Sequence, residues 1–261
     1  MKKKPFISII TPTLNSSKTI LRNLGSVSNQ HFDDFEHIII DGNSIDDTKL
    51  IIQKYIEHKV IFQNEIEKGI YQAINQGIKS ASGAYIMLLN SDDWLPRDSL
   101  KKIYIKVSKQ IGNLHIFQSK VFENENEIAK VTAIKDFLLP IQKMPFSHGA
   151  MIAKKEFLTQ KGLYSTEYSL SSDLDFVNKT KIEDYVFHDD VVHCFSLEGA
   201  SSQNYHGSKE SMKIAIYYGK NPLSARLDYI KVVINKFLGR LLGFSRIIKL
   251  KKFLNYSSNW K

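Results

Sequence analysis

Residues 69–95, GIYQAINQGIKSASGAYIMLLNSDDWL, carry three successive patterns that decide the predicted fold. The first part places three isoleucines on one face of a helix: Ile70, Ile74 and Ile78. The run AYIMLL at 84–89 is short and apolar, which is typical of a strand buried on both faces of a parallel sheet. Two adjacent carboxylates, Asp92 and Asp93, follow it. This order predicts a helix, a buried strand and a polar site at the carboxyl end of that strand.

The residues before this stretch repeat the alternation of strand and helix. Three further strands are predicted at apolar, β-branched runs: 6–11, 37–41 and 60–63. Two helices are predicted between them, at 16–30 and 45–58. Pro12 is expected to end the first strand, and Ser16 or Ser17 is expected to cap the first helix. Strands that alternate with helices of this length indicate a parallel sheet.

After about residue 100 the alternation loosens. An antiparallel hairpin is predicted from the runs 115–122 and 127–134, which the residues ENEN separate. Further strands are predicted at 147–153 and 190–197, and a helix within 167–181 with Ser172 as its N-cap. The predicted fold class is therefore α/β: a Rossmann-like, mostly parallel sheet flanked by helices, with a small antiparallel element and a C-terminal helical tail.

The positive charge of the chain is concentrated at its C-terminal end. The 261 residues have a net charge of +9, yet residues 209–261 hold 12 basic and 2 acidic residues, a net charge of +10. A nucleic-acid-binding domain usually carries its basic patch on the folded body, so no nucleic-acid partner is expected. The predicted division is a body at 1–208, with a regular strand–helix half at 1–100 and a more irregular half at 101–208, and a basic tail at 209–261.

The tail has the pattern of a basic amphipathic helix. Asn221 and Pro222 are suited to the N-cap and first helical position, and Gly239 and Gly243 are expected to interrupt the helix. An apolar stripe recurs at steps of three or four: Ile230, Ile234, Phe237, Leu241, Phe244 and Ile248. Such a segment predicts contact with a membrane surface over 222–253. The alternative is a helix docked on the body with solvated charges. No apolar run of about 18 residues predicts a membrane-spanning helix.

Three polar loops follow predicted strands, and in a parallel sheet they should converge on one edge. Thr11, Pro12 and Thr13 follow the first strand, Asp41 ends the second, and the acidic loop, residues 90–93, follows the fourth. Asp41 has two interpretations that the pattern leaves open. It caps the following turn, or it binds a nucleobase or ribose.

The carboxylates of Asp92 and Asp93 repel each other unless a proton or a cation neutralises part of their charge. Mg²⁺ takes one or two protein carboxylates and completes its coordination with water and phosphate oxygens, so the pair predicts a diphosphate-bridging metal site. The alternative is a solvated acidic turn. Asp173 and Asp175 likewise suit the first turn of a helix, and Asp173 is also a candidate general base.

Other chemistry-bearing residues give weaker signals. The single cysteine, Cys194, excludes an internal disulfide and a multi-cysteine zinc site, and it is expected to be a buried apolar residue. No role is assigned to the scattered histidines His148, His193 and His206. Neither a GxxxxGK[ST] loop nor a GxGxxG motif occurs, which argues against P-loop kinases and dinucleotide oxidoreductases.

Taken together, four segments resemble glycosyltransferase family 2, the nucleotide-sugar-dependent enzymes with a GT-A fold. The segments are SIITPTLN (8–15), HIIIDGNSIDDT (37–48), EKGIYQAINQGIKSASGAYIMLLNSDDWL (67–95) and SSDLDF (171–176). The first three agree in order, spacing and strand context, and the resemblance fades after residue 200. The relatives that it suggests are bacterial enzymes of surface-polysaccharide synthesis.

The resemblance implies that 1–100 is the nucleotide-sugar-binding half and 101–208 the acceptor half, with a donor site at the sheet edge. Thr11, Pro12 and Thr13 match the loop that lines the nucleotide, and Asp41 matches the acid that reads its base. Residues 90–92, Asn-Ser-Asp, stand at the position of the family's Asp-x-Asp motif.

The same resemblance implies the metal ligand and the base. Asp92 would bind Mg²⁺ or Mn²⁺, Asn90 replaces the first acid of the motif, and Ser91 lies between them. Asp93 is placed with Asp92 in the metal site. Asp173 matches the second acid of the family's Glu-Asp pair, the usual catalytic base, and Ser172 stands where Glu is common.

The function that the resemblance implies is inverting transfer of a sugar from a nucleoside-diphosphate sugar to a hydroxyl of a glycan, which is expected to be lipid-linked. One alternative is a sugar nucleotidyltransferase, which TPTLNSSKT argues against because Lys18 is its only basic residue. The other is a non-catalytic basic module that binds membrane or nucleic acid. The expected location is cytoplasmic, peripheral at the inner face of the cell membrane.

Overall fold

The computed structural model describes residues 4–55, 60–63, 69–123, 125–197 and 206–242. Its strands are β1 (Ile7–Thr13), β2 (Phe35–Asp41), β3 (Val60–Gln63), β4 (Tyr85–Leu88), β5 (Leu114–Glu123), β6 (Asn126–Val131), β7 (Met151–Lys154) and β8 (Tyr185–Ser196). Its helices are α1 (Ile20–Ser28), α2 (Thr48–Lys54), α3 (Ile70–Ser80), α4 (Ser99–Val107), α5 (Lys155–Gln160), α6 (Ser172–Asn178), α7 (His206–Tyr217) and α8 (Pro222–Leu242).

These eight strands form one mixed sheet in the order β3-β2-β1-β4-β7-β5-β6, with β8 paired to β5. The first four strands are parallel, as predicted. β7 pairs antiparallel with both β4 and β5, and β5 forms the predicted antiparallel hairpin with β6. The two predicted halves of the body, 1–100 and 101–208, therefore contribute strands to a single sheet.

Both faces of the parallel half are covered, which explains why its strands are continuous apolar runs. Ile10 and Ile38 belong to a core that includes Ile74 and Ile78 of α3. On the other face, Ile9 belongs to a core that includes three residues of α4: Leu100, Ile103 and Val107. Successive side chains of a strand point to opposite faces of the sheet, so β1 packs against helices on both faces.

Pro12 does not end β1, which contradicts the sequence prediction. The strand continues to Thr13 and stays paired with β2, where Pro12 lies opposite Ile40. The carbonyl of Ile10 accepts from Leu89 N at 2.9 Å, so even-numbered residues of β1 point their backbone groups toward β4. The last β4 pair is Ile10 with Leu88, and Pro12 lies beyond it. The missing N–H of Pro12 therefore breaks no ladder bond.

Three details of the predicted helices are also wrong. The N-cap of α1 is Thr19 rather than Ser16 or Ser17, and the hydroxyl of Ser16 bonds to Ser91 instead. Ile70 is 40% exposed, although Ile74 and Ile78 of the same predicted stripe are buried. Ser171 is the N-cap of α6, and Ser172 is its first helical residue.

α7 packs against the segment that leads into α6. The carboxylate of Glu210 accepts from the amide of Ser169 at 2.8 Å and from the amide of Leu170 at 2.9 Å. Tyr218, just after α7, donates its hydroxyl to Asp175 at 3.0 Å. The domain boundary predicted at residue 208 falls within α7, and the division of the chain at that residue stays a prediction.

α8 is the described part of the predicted tail. Asn221 caps it, since its Oδ1 accepts from the amides of Leu223 at 3.0 Å and Ser224 at 3.2 Å. The helix continues through Gly239 to Leu242, so Gly239 does not interrupt it. Gly243 and the rest of the predicted stripe, Phe244 and Ile248, lie outside the described residues. No helix in the described part of the chain is both long and apolar enough to cross a membrane.

Candidate active site

The loops that follow β1, β2 and β4 meet at the carboxyl edge of the parallel sheet, as predicted. The amide of Asn15 donates to the hydroxyl of Ser44 at 2.8 Å, which joins the first loop to the second. The hydroxyls of Ser16 and Ser91 share a hydrogen bond of 2.8 Å, which joins the first loop to the acidic loop. These two contacts hold polar groups of the three loops at one place.

The three residues predicted to line a nucleotide differ in what their side chains do. Thr11 is fully buried and its hydroxyl bonds to His37 at 2.9 Å, while Pro12 is buried opposite Ile40 of β2. The hydroxyl of Thr13 is buried without a hydrogen-bond partner among the described residues. A buried hydroxyl without a partner is costly, so Thr13 is the member of this set that is suited to a ligand.

The carboxylate of Asp41 makes its hydrogen bonds within its own loop. Its carboxylate accepts from the hydroxyl of Ser44 at 2.5 Å and from the amide of Ser44 at 3.0 Å, and Lys49 Nζ lies 3.7 Å from Oδ2. The side chain has no exposed surface. The loop-capping interpretation of Asp41 is therefore present in the structure, and base recognition stays a prediction.

One stripe of polar side chains on α1 holds the acidic loop and the residues after it. Asn23 donates its amide to the carbonyls of Asn90 at 2.9 Å and Asp93 at 3.1 Å. Arg22 donates to the carbonyl of Asp92 at 3.0 Å, and its guanidinium lies 3.8 Å from the ring centroid of Trp94. Ser26 of α1 and Gln30, two residues after the helix ends, bond to the backbone of 95–100. The backbone of Asp92 is thus fixed from the α1 side.

The opposite side of the acidic loop is fixed by β8 through Asp93. Asp93 is 1% exposed, and its Oδ1 accepts from the amide of Ser196 at 2.9 Å. Its Oδ2 lies 3.3 Å from Nε2 of His193, close enough for an ion pair although not aligned as a hydrogen bond. The other nitrogen of His193 bonds to Ser119 at 3.0 Å. Both oxygens of Asp93 therefore face the protein interior.

Asp92 is half-buried, in contrast to the fully buried Asp93. Burial and, second, the negative charge of Asp93 together raise the pKa of Asp92 to about 7, against smaller opposing effects of His193 and Arg22. A carboxylate whose charge is disfavoured in this way is stabilised by a cation. Within the described residues no three His, Cys, Asp or Glu side chains form a metal-binding group.

Asp173 lies on α6, where Tyr71 of α3 contacts it. The hydroxyl of Tyr71 donates to Oδ1 of Asp173 at 3.1 Å, and the amide of Leu174 donates to the same oxygen at 2.9 Å. Burial raises the pKa of Tyr71 well above its usual range, and the charge of Asp173 adds to that effect. The candidate base is therefore held at one oxygen by a neutral phenol.

His148 lies between the candidate base and the acidic loop. Burial lowers the pKa of His148, while the charge of Asp173 raises it and that of His193 lowers it, so both groups are close. His148 Nε2 bonds to the hydroxyl of Tyr164 at 2.8 Å. Gly149 allows the approach of His193, because a Cβ at this position would lie 2.3 Å from His193 Nε2. The structure thus brings Asp173 and Asp93 to the two ends of one polar cluster.

A comparison with known families decides the assignment. The sequence profile described as glycosyl transferase family 2 matches residues 8–161, more than half of the chain. The chain belongs to glycosyl transferase family 2. It is an enzyme, and the resemblance predicted from its sequence is confirmed. The nucleotidyltransferase and the non-catalytic module are not supported.

Two curated relatives of this glycosyltransferase are named for lipid-linked substrates. It is 29% identical over 161 residues to the GalNAc(5)-diNAcBac-PP-undecaprenol beta-1,3-glucosyltransferase of Campylobacter jejuni, covering 60% of this chain and 48% of that protein. It is 28% identical over 262 residues to the dolichyl N-acetyl-alpha-D-glucosaminyl phosphate 3-beta-D-2,3-diacetamido-2,3-dideoxy-beta-D-glucuronosyltransferase of Methanococcus voltae, covering 92% and 71%. The chain thus spans about half the length of the first relative.

Solved structures resemble the glycosyltransferase in fold. S. aureus TarS 1–349 in complex with UDP-GlcNAc superposes with a TM-score of 0.63 at 20% identity, covering 92% of this chain and 74% of that one. The mannosyltransferase PcManGT of Pyrobaculum calidifontis, in complex with GDP-Man and Mn²⁺, superposes with a TM-score of 0.62 at 15% identity, covering 98% and 77%. The predicted GT-A fold is confirmed.

Sequence reasoning missed several residues that the glycosyltransferase places around its acidic loop. His193 was given no role, yet it lies against Asp93. Asn23 and Arg22 were given no role either. A signal for them existed, because polar residues recur at 22, 23 and 26 of α1 and again at 30, just after its end, on a face that an amphipathic surface helix turns to water. Tyr71 had no such signal, since its partner Asp173 is 102 residues away.

Proposed function

We propose that this glycosyltransferase moves a sugar from a nucleoside-diphosphate sugar to a hydroxyl of a lipid-linked glycan, with inversion and with a divalent cation, in surface-polysaccharide synthesis. The observation that carries the proposal is the acidic loop, which α1 and β8 hold at the carboxyl edge of the sheet, with Asp93 buried and Asp92 half-buried. The names of the Campylobacter and Methanococcus relatives support a lipid-linked substrate.

The residues present fit a hard divalent cation. Mg²⁺ and Mn²⁺ accept a single protein carboxylate when phosphate oxygens and water supply the other ligands, so a cluster of three protein ligands is not required. Asp92 would hold the cation, and Asp93 would support Asp92 from the interior. When bound, the cation supplies positive charge to the departing diphosphate.

The donor nucleotide is placed at the edge formed by β1, β2 and the acidic loop. The partnerless hydroxyl of Thr13 supports a contact there, with Thr11 and Pro12 behind it in the strand. Asp41 would reach a nucleobase only by giving up a contact to Ser44 or Lys49.

Residues of the acidic loop are proposed to contact the donor near its ribose and diphosphate. Asn90 is half-buried, and its side-chain amide lies 3.5 Å from Asp93 Oδ2. Ser91 shares its hydroxyl with Ser16. An amide at position 90 can donate to a ribose hydroxyl, which the acid of the family motif cannot do when ionised.

Asp173 is proposed to be the general base. It takes the proton of the acceptor hydroxyl while that oxygen attacks the anomeric carbon, and the bond from this carbon to the nucleoside diphosphate breaks on the opposite face. A single displacement of this kind needs one base and a good leaving group, not a second carboxylate as nucleophile.

α8 is proposed to contact an anionic lipid surface. Six apolar side chains of its described part are 39% to 69% exposed: Leu223, Leu227, Ile230, Ile234, Phe237 and Leu238. Basic residues lie among them, as at Arg226 and Lys231. Exposed apolar area together with positive charge matches the surface of an anionic leaflet, and each basic residue near it contributes about 1 kcal/mol. This contact would place the enzyme at the inner face of the cell membrane, beside a lipid-linked acceptor.

The experiment that tests the proposal uses the purified chain, a panel of nucleoside-diphosphate sugars, and a lipid-phosphate-linked acceptor. We expect nucleoside diphosphate to be released and the product to have the inverted anomeric configuration, only with Mg²⁺ or Mn²⁺. Asp92→Asn should abolish this transfer, whereas Asp189→Asn, at an acid that is 85% exposed, should not. Transfer by Asp92→Asn at the wild-type rate would contradict the metal assignment.

A further inference from the structure

The two carboxylate oxygens of Asp173 differ in the hydrogen bonds that they accept. Oδ1 accepts from the hydroxyl of Tyr71 at 3.1 Å and from the amide of Leu174 at 2.9 Å. No group in the described part of the chain donates a hydrogen bond to Oδ2. A carboxylate with one oxygen held by two donors has a defined rotation and a second oxygen that remains available to a substrate.

We propose that Tyr71 is a positioning residue that orients Asp173, so that Oδ2 is the atom that takes the proton of the acceptor hydroxyl. The proposal rests on the proposed function, since it names the atom of Asp173 that acts and the group that aims it.

The phenol of Tyr71 is itself rigidly placed. Tyr71 is 6% exposed at the start of α3, and its ring stacks on that of Tyr164 with centroids 5.8 Å apart and planes at 25°. Tyr164 is fixed in turn, because Asn75 of α3 donates to its carbonyl at 2.7 Å and accepts from its amide at 3.1 Å. The donor to Asp173 is therefore held by a helix rather than by a flexible loop.

The chemistry of the neighbouring groups suits this role. Burial and the Asp173 charge both raise the pKa of Tyr71, so the phenol keeps its proton and can only donate to the ionised carboxylate. The titratable groups near Asp173 are Tyr71, Tyr164 and His148. The hydroxyl of Tyr164 is bonded to His148 instead of Asp173, which makes Tyr164 a matched control.

Tyr71→Phe removes the donor and keeps the stacked ring. We expect kcat to fall about tenfold or more with little change in KM for the donor, because a misoriented base affects turnover rather than donor binding. Tyr164→Phe removes a hydroxyl from the same ring pair but no donor to Asp173, so it should keep a kcat close to that of the wild type.

A second readout does not need transfer activity. The carboxyl carbon of Asp173 is followed by NMR at a fixed pH, with its resonance assigned by Asp173→Asn, and the resonance should shift in Tyr71→Phe, which loses the hydrogen bond, but not in Tyr164→Phe. An unchanged resonance and an unchanged kcat in Tyr71→Phe, in an enzyme that Asp173→Asn inactivates, would overturn the inference. A shifted resonance in a protein that transfers no sugar would overturn the proposed function and retain the pairing of Tyr71 with Asp173.

Discussion

Oδ2 of Asp93 lies 3.3 Å from Nε2 of His193, and both side chains are closed to solvent, at 1% and 0% exposure. The pair joins the acidic loop, which follows a parallel strand, to β8, which belongs to the irregular half of the chain. Two backbone bonds between Trp94 and Cys194 run beside it, at 3.2 Å and 2.9 Å. The position of Asp92 therefore depends on residues about 100 positions later in the sequence.

His193→Gln tests this dependence. The substitution keeps a polar side chain of similar size but removes the ring beside Asp93, so the free energy of unfolding should fall by about 1–3 kcal/mol. Stabilisation of the protein by a nucleoside diphosphate with Mn²⁺ should fall as well, because Asp92 loses part of its support. Both are measured by thermal and chemical denaturation.

The matched control is an exposed pair of the same residue types. His31 lies 2.9 Å from Asp98, with side chains 59% and 41% exposed. His31→Gln should change the free energy of unfolding little, since solvent-exposed ion pairs contribute little. Equal losses in the two variants would contradict a special role for the Asp93–His193 pair.

Asn23→Ala tests the α1 side of the acidic loop. The variant leaves the carbonyls of Asn90 and Asp93 without the donor that now serves both. We expect a loss of about 1–3 kcal/mol in the free energy of unfolding and a weaker Mn²⁺-dependent stabilisation by nucleotide. Ser28→Ala is the control on the same helix, because Ser28 donates to Leu24 within α1. Full nucleotide stabilisation in Asn23→Ala would show that α1 does not position the loop.

The buried histidines His115 and His188 predict a pH dependence of stability. Their rings share a hydrogen bond of 3.0 Å, and burial, together with the smaller effects of the His188 and Lys154 charges, lowers the pKa of His115 to about 4. Between the usual histidine pKa of about 6.5 and this value, the unfolded chain binds a proton that the folded chain does not. The free energy of unfolding should therefore decrease as pH falls from 6.5 to 4.

Urea denaturation at pH 7 and pH 4.5 measures this decrease. His115→Asn should be less stable at pH 7 but should lose about 1–3 kcal/mol less than wild type over this interval, because the titrating ring is gone. His31→Gln, which alters an exposed histidine, should keep the wild-type decrease. The idea fails if His115→Asn shows the same pH dependence as wild type.

Ile234→Ser tests the proposed membrane contact of α8. Ile234 is 52% exposed on the helix, so the substitution should weaken binding to phosphatidylglycerol vesicles several-fold in co-sedimentation and leave the folded body unchanged. Ile111→Ser is the control, because Ile111 is 98% exposed on the body. Binding should also weaken as salt is raised, and vesicles of neutral phosphatidylcholine should bind poorly. Equal effects of the two substitutions would contradict contact through α8.

The fold was predictable where apolar periodicity is local. The parallel strands, the helices between them and the β5–β6 hairpin follow from runs of fewer than 15 residues, and the structure confirms them. The failures were at places where a neighbour decides the outcome. Pro12 continues β1 only because β4 has already ended, and Ser16 bonds to Ser91 rather than capping its own helix.

Residue types and spacing alone also identified the polar loops, because the carboxyl ends of parallel strands must share an edge. The order of the loops and the acidic pair Asp92–Asp93 therefore follow from the sequence alone. Which of the two carboxylates is buried does not. Tertiary packing buries Asp93 against His193 and Ser196, leaves Asp92 only half-buried, and brings the hydroxyl of Tyr71 to Asp173. These pairings join residues about 100 positions apart, and no local pattern constrains which distant side chain closes such a contact.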